Sequence, residues 1–244
     1  QAFTVSHTYL DDNPTATAQD TYTVRVWATD DDGYGVQGTT SNAGNLAPGG
    51  ANVFRIIDSL DDASVPIDLG SNTFTFSGQT YTGKQLFAVS NGFLTLGSAT
   101  NTFTNGDLSG TPAQATIAPL WDDWQTTVSA TDQVLGKLDD VNNDGTPDRL
   151  IVEWNDVRGV VVNPPPAAKG VTFQAILELN TGSRGGDITF HYIDLASNDL
   201  HAQGVKATVG VKDAGNPAAN VILVSQNAAN PLVGLEGRTR LMNA

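Results

Sequence analysis

The sequence contains no cysteine. Disulfides and thiolate metal sites are therefore excluded, and an exported form of the chain needs other staples for its long loops. Glutamate is scarce as well: of the 26 acidic residues, 3 are Glu and 23 are Asp. Glu favours helices, whereas Asp prefers turns and caps and binds hard cations. Lys and Arg number 12 against a net charge of −14, and they are scattered along the chain. That distribution is a poor match for nucleic acid. No apolar run approaches the roughly 20 residues of a membrane-spanning helix, so membrane insertion is not expected. Gln1 is not followed by the basic segment and apolar run of a signal peptide, and the expectation is a sequence that starts inside a mature or truncated chain. No Gly-x-Ser-x-Gly elbow, phosphate-binding Gly loop or dinucleotide fingerprint occurs. His7, His191 and His201 lie far apart and show no His-x-x-x-His spacing.

What is present is strand and turn. With 244 residues and 25 Gly, the chain suits one large β domain, or one domain plus a smaller piece. Thr21–Thr29 alternates, with Tyr22, Val24, Val26 and Ala28 on one face, and an acidic turn, Asp30-Asp31-Asp32-Gly33, follows. Residues 34–52 are rich in Gly, Ser, Thr, Asn and Pro and read as a linker. Beyond them, short apolar runs alternate with turn residues. Leu86–Val89 and Phe93–Leu96 flank Ser90-Asn91-Gly92, a hairpin signal. Arg149–Trp154, Val171–Leu179, Asp187–Tyr192, Ala207–Val211 and Val221–Val224 read as further strands. No long helical period appears. The pattern predicts an all-β, antiparallel β-sandwich of the jelly-roll or Ig-like kind.

Two resemblances rest on particular segments. Val5-Ser-His-Thr-Tyr9, followed by Asp20 to Gly33, resembles the last strands of a PKD (polycystic kidney disease-type) repeat, an Ig-like module. Val89 to Gly97, Phe103 to Leu108, Ile117 to Trp124 and Arg149 to Val157, in that order, resemble the nidogen-like extracellular module. Residues 1–33 are thus expected to be the end of a PKD-like repeat and residues 53–244 a nidogen-like domain. The resemblance implies a non-catalytic role in extracellular adhesion or matrix structure, in a secreted or surface-bound modular protein of bacterial type. The partners it suggests are other surface proteins, glycans or further copies of the chain, with strand addition at the incomplete PKD-like segment as one route.

One loop carries a metal signal of its own. Asp140-Val-Asn-Asn-Asp-Gly-Thr-Pro-Asp148 places oxygen-bearing side chains at its first, third, fifth and ninth positions: Asp140, Asn142, Asp144 and Asp148. Gly145 stands sixth, where the chain must turn sharply, and Thr146 stands seventh, where such loops offer a backbone carbonyl. Hard oxygens with a charge of −3 suit Ca²⁺ over zinc or copper. The twelfth position is Ile151 rather than Glu, and the segment that leaves the loop reads as a strand. The expectation is a fixed calcium staple within a hairpin, not a sensor. The bland alternative is an Asx-Gly turn without metal.

Trp121-Asp122-Asp123-Trp124 admits two readings. The rings pack into the core and an Asp caps the turn, which is the favoured one. Alternatively the four residues form a sugar platform, which would make the chain a carbohydrate-binding module. A glycosidase acid/base pair is disfavoured, because adjacent strand residues point to opposite faces. Asp30–Asp32 admit a second cation at the domain junction or a solvated acidic turn, the turn being the favoured reading, and Asp58, Asp61 and Asp62 are a similar case.

Overall fold

The computed structural model describes residues 35–39, 44–160, 170–195, 206–227 and 238–243. The PKD-like segment, Asp30–Asp32, His7 and His201 lie outside these residues. The described chain is all-β, and every strand pairing in it is antiparallel. Two sheets face each other as a sandwich, as the strand-turn alternation predicts.

The larger sheet has the order β1 (Gly35–Thr39), β16 (Arg238–Asn243), β13 (Ile188–Asp194), β12 (Val171–Glu178), β11 (Arg149–Gly159), β10 (Gln133–Asp139) and β2 (Val53–Asp58). A two-residue strand, β9 (Trp124–Gln125), pairs with the far end of β11. The smaller sheet runs β15 (Val221–Gln226), β14 (Thr208–Lys212), β8 (Ala115–Trp121), β7 (Phe93–Leu96), β6 (Leu86–Val89) and β3 (Ser64–Ile67). A separate hairpin joins β4 (Thr73–Phe76) to β5 (Gln79–Thr82).

The strands predicted between Leu86 and Val224 stand where the alternation places them, and the one predicted over Thr21–Thr29 lies outside the described residues. Strands at β2, β3, β4, β5, β10 and β16 carry too little alternation to be read in advance. The linker expected over 34–52 needs correction. Residues 35–39 form β1 and pair with β16, so this Gly-rich stretch belongs to the sandwich.

The period-two pattern decides which side chains meet between the sheets. Leu150, Val152 and Trp154 of β11 face inward, as do Phe173, Ala175 and Leu177 of β12 and Ile188, Phe190 and Tyr192 of β13. Leu86, Ala88, Leu94, Leu96, Ile117, Val209 and Val211 meet them from the smaller sheet. Trp154 stacks on Phe173 at 5.2 Å between ring centroids. The polar ends of these rings are satisfied across the sandwich. Trp154 Nε1 donates to the Val89 carbonyl at 2.8 Å, and the Tyr192 hydroxyl donates to the Pro119 carbonyl at 2.8 Å. Each buried donor thus holds the two sheets in register without an unmet hydrogen bond.

The predicted Ser90-Asn91-Gly92 turn links β6 to β7. Gly92 has φ +81, and a Cβ there would lie 2.0 Å from the Leu120 carbonyl oxygen. Only glycine admits that approach.

Both outer faces are partly covered. On the smaller sheet, Val89, Phe93, Leu108, Ala118 and Trp121 form a satellite core. On the larger sheet, Leu46 enters a cluster with Leu135, Ile151 and Ile176. Residues 44–50 therefore lie as a strap across that face.

Candidate functional site

The loop 140–148 joins β10 to β11, and the hairpin is closed at its base. Asp139 pairs with Arg149 in register, and its carboxylate receives Lys137 Nζ at 2.6 Å and Arg149 Nη2 at 2.7 Å. Burial alone would push the Asp139 carboxyl up. The hydrogen bonds and charges of Lys137 and Arg149 outweigh that, and the net shift is downward. A carboxylate so held stays ionised and keeps the two strands together where the loop departs.

Above this base the loop folds onto its own amides. Asp140 accepts from the Asp144 N–H at 3.2 Å and from the Gly145 N–H at 2.8 Å. Asn142 Oδ1 accepts from the Asp144 N–H at 2.9 Å, and Asp144 accepts from the Thr146 N–H at 2.8 Å. Asp148 accepts from the Val141 N–H at 2.6 Å and from the Asn142 amide groups at 3.2 Å. Asn143 and Gly145 have φ +59 and +90, which gives the sharp turn. The loop is anchored from outside by Asn180, whose Nδ2 donates to the Pro147 carbonyl at 2.9 Å, and by Leu179, whose N–H donates to the Asp148 carbonyl at 2.8 Å.

The donor set fits a hard cation in kind, since all the side-chain atoms it offers to an ion are oxygens. Asp140, Asn142, Asp144 and Asp148 would hold the ion through side chains and Thr146 through its carbonyl. The three carboxylates are spread along the turn, however, and would have to draw together around it. Among the described residues, the three acidic groups that already converge are others: Asp61, Asp62 and Asp123, with ligand oxygens within 4.8 Å of one another. Asp62 is fixed there by Asn91 Nδ2 at 2.9 Å. Burial, then the neighbouring Asp62 charge, push the Asp61 carboxyl up, against one backbone hydrogen bond that lowers it. No spacing rule could have joined Asp62 to Asp123, because the fold, not the local chain, brings them together. Acidic groups crowd in this way at exposed turns without any ion, so no metal site is assigned to them.

The sugar-platform reading of Trp121–Trp124 needs correction. Trp121 is 0% exposed and Trp124 1% exposed. Trp121 packs on Phe93 at 4.8 Å, and Trp124 donates its Nε1 to the Leu120 carbonyl at 2.8 Å. Neither ring offers a face to a pyranose. Asp122 caps the turn, accepting from the Asp123 N–H at 2.8 Å. The aromatic pair is a corner of the core, and with it goes the structural basis for a carbohydrate-binding module at this place.

Sequence reasoning passed over a buried polar group on the outer face of the larger sheet. Glu153 is 0% exposed. Its Oε2 accepts from the Leu46 N–H at 2.8 Å and from Gln174 Nε2 at 2.6 Å. Gln174 Nε2 also donates to the Gly44 carbonyl at 3.1 Å, and Gln174 Oε1 lies 3.3 Å from His191 Nδ1. Burial pushes the Glu153 carboxyl up to about 7, against the two hydrogen bonds that lower it. Burial likewise pushes His191 down. Within the pattern of β11, Glu153 looks like any outward polar residue between Val152 and Trp154, so nothing in the alternation marks it as covered.

A model of the NIDO-related family matches residues 33–242. The chain belongs to the NIDO-related family. The match begins just before β1 and ends within β16, so it takes in both sheets and agrees with counting residues 35–39 as part of the NIDO-related module. That module type is extracellular and non-enzymatic, and among the described residues no helix is long and apolar enough to cross a membrane. No curated protein and no solved structure matches the chain.

Proposed function

We propose that this NIDO-related module is a calcium-stabilised, non-catalytic building block of a modular surface or secreted protein, with an architectural or adhesive role. The observation that carries the calcium part is the Asp140–Asp148 loop. Its oxygens follow the ligand rhythm of a calcium loop, and its ends are pinned by the Asp139–Lys137–Arg149 cluster and by Asn180. A pinned loop loses little conformational entropy on binding, which favours a static staple over a switch. The adhesive part rests on the family alone. Copies of the chain or other surface proteins are its natural partners.

The calcium reading is tested by thermal unfolding of the whole chain in millimolar calcium and in chelator. A higher Tm in calcium that vanishes in Asp140→Ala supports it. A Tm unchanged by chelation, with unchanged hydrogen exchange over 140–148, removes calcium from the proposal and leaves the architectural role standing.

A further inference from the structure

Glu153 of β11 sits under the strap, while Asp156 and Arg158 stand towards the end of the same strand, where Arg158 lies 3.6 Å from both Asp132 and Asp156. One oxygen of Glu153 is fully engaged by Leu46 and Gln174. The other, Oε1, is buried and meets no hydrogen-bonding partner among the described residues. An ionised carboxylate calls for several donors shared over both oxygens, and a buried one also calls for a counter-charge.

Among the described residues, the surrounding groups supply no such charge. Residues 44–50 of the strap (Gly-Asn-Leu-Ala-Pro-Gly-Gly) carry none. On β10, Gln133, Leu135 and Lys137 share the face with Glu153, and Lys137 is committed to Asp139 at 2.6 Å. On β2, Arg55 lies in register with Leu135 and is committed to Asp58 at 2.7 Å. On β12, Thr172, Gln174 and Ile176 share the face. Glu178 at its end is held by Arg184 at 2.8 Å, and Arg149 opposite it by Asp139. On β13, Thr189, His191 and, at the end of the strand, Asp194 lie on this side, with His191 favouring its neutral form through burial. On β16, Thr239 and Leu241 are in register with His191 and Thr189. Among the described residues Glu153 is thus a buried acid without a cation, and the strap lies between it and water.

We propose that Glu153 is a proton-dependent clasp. With its carboxyl protonated it holds the 44–50 strap on the larger sheet, and on ionisation the strap opens to let water reach the charge. The plug of Leu46 between Leu135, Ile151 and Ile176 opposes opening at every pH. The proton therefore tunes a local equilibrium rather than unfolding the sandwich. What it regulates is the attachment of the stretch between β1 and β2, and this does not depend on the calcium reading.

The test is hydrogen exchange of the whole chain across a pH series, corrected for intrinsic exchange rates, in the wild type and in Glu153→Gln. Protection of the Leu46 amide is expected to fall roughly tenfold or more from about pH 6 to about pH 8.5 in the wild type and to stay level in the variant. Protection of the central β11 and β12 amides stays level in both. A level wild-type profile, or the same fall in Glu153→Gln, overturns the proposal. Leu46→Ala gives a second route that keeps the acid in place. With the plug gone, Glu153 followed by carboxyl ¹³C NMR should titrate nearer the ordinary glutamate range than it does in the wild type. An unchanged titration overturns the clasp.

Discussion

The β10–β11 hairpin carries acidic groups in two opposite settings. At its tip, Asp140, Asp144 and Asp148 are exposed or half-buried, and the amides of their own loop point at them. At its middle, Glu153 is wholly buried beneath the strap, with one oxygen unmet. The tip is open to solvent and tolerates negative charge, and the proposed calcium would bind there. The middle resists charge and gains from a proton. On the two proposals, the same functional group answers to calcium at one end of a strand and to pH a few residues on, because solvent access and local donors differ. Perturbing each place under the other's condition is the way to separate them.

The largest effect is expected from neither. Trp154 lies on the inner face beside Glu153, stacked on Phe173 and bonded to Val89. Trp154→Ala should cost about 3–5 kcal/mol at any pH and any calcium level, measured by denaturant unfolding. It sets the scale of a loss to which both acidic places are indifferent. A loss that varied with pH or calcium would mean that the two faces of the hairpin are not independent.

Next comes pH. The folded Glu153 carboxyl is raised from 4.5 to about 7, so the native state holds its proton more tightly than the unfolded chain does. That contribution to stability is full below pH 4.5, declines as pH rises through the interval, and is gone above about 7. Glu153→Gln should therefore be close to neutral near pH 5 and stabilising near pH 8.5, by up to about 3 kcal/mol. Asp132, 0% exposed and raised to about 6 chiefly by burial, adds a slope of the same sign that this substitution leaves in place. A Glu153→Gln curve parallel to the wild type would place the pH sensitivity elsewhere.

Calcium comes third. At millimolar calcium and a dissociation constant on the order of 10⁻⁴ M, binding to the native loop should add about 1–2 kcal/mol, read from the Tm in calcium against chelator. The gain should be the same in Glu153→Gln as in the wild type. A gain that depended on residue 153 would join the two places into one system.

The two places also differ in how far the sequence shows them. The loop is written in consecutive residues: Asp140, Asn142, Asp144, Gly145 and Asp148 announce a turn between strands, and β11 follows it as its alternation implies, whereas β10 before it is not marked by its own pattern. The strands with clean alternation, such as Val171–Glu178, are legible for the same local reason. Glu153 is not, because its burial depends on Leu46 and Gln174, distant in the chain, and on a strap whose Gly-rich composition reads as linker. Asp62 and Asp123 are illegible in the same way, as is β1, whose strand character comes from pairing with β16 rather than from its own residues. The Trp121–Trp124 corner is an intermediate case. Its residues favour a core corner but also suit a sugar platform, and burial decides between them.

The smallest effect sharpens the comparison most, because it should change sign. Asp144 accepts a single backbone hydrogen bond, from the Thr146 N–H, and shares the turn with two other carboxylates. In chelator, Asp144→Asn removes like-charge repulsion and keeps an oxygen for that bond, so a gain of a few tenths of a kcal/mol is expected. In calcium the same change removes one of three charged ligands. A tenfold weaker affinity would cost on the order of 1 kcal/mol against the wild type. Thermal unfolding of the pair under both conditions reads the crossing. Equal shifts in chelator and in calcium would mean that the carboxylates serve the turn and not an ion, and the tip of the hairpin would then be an acidic turn held only by its own amides.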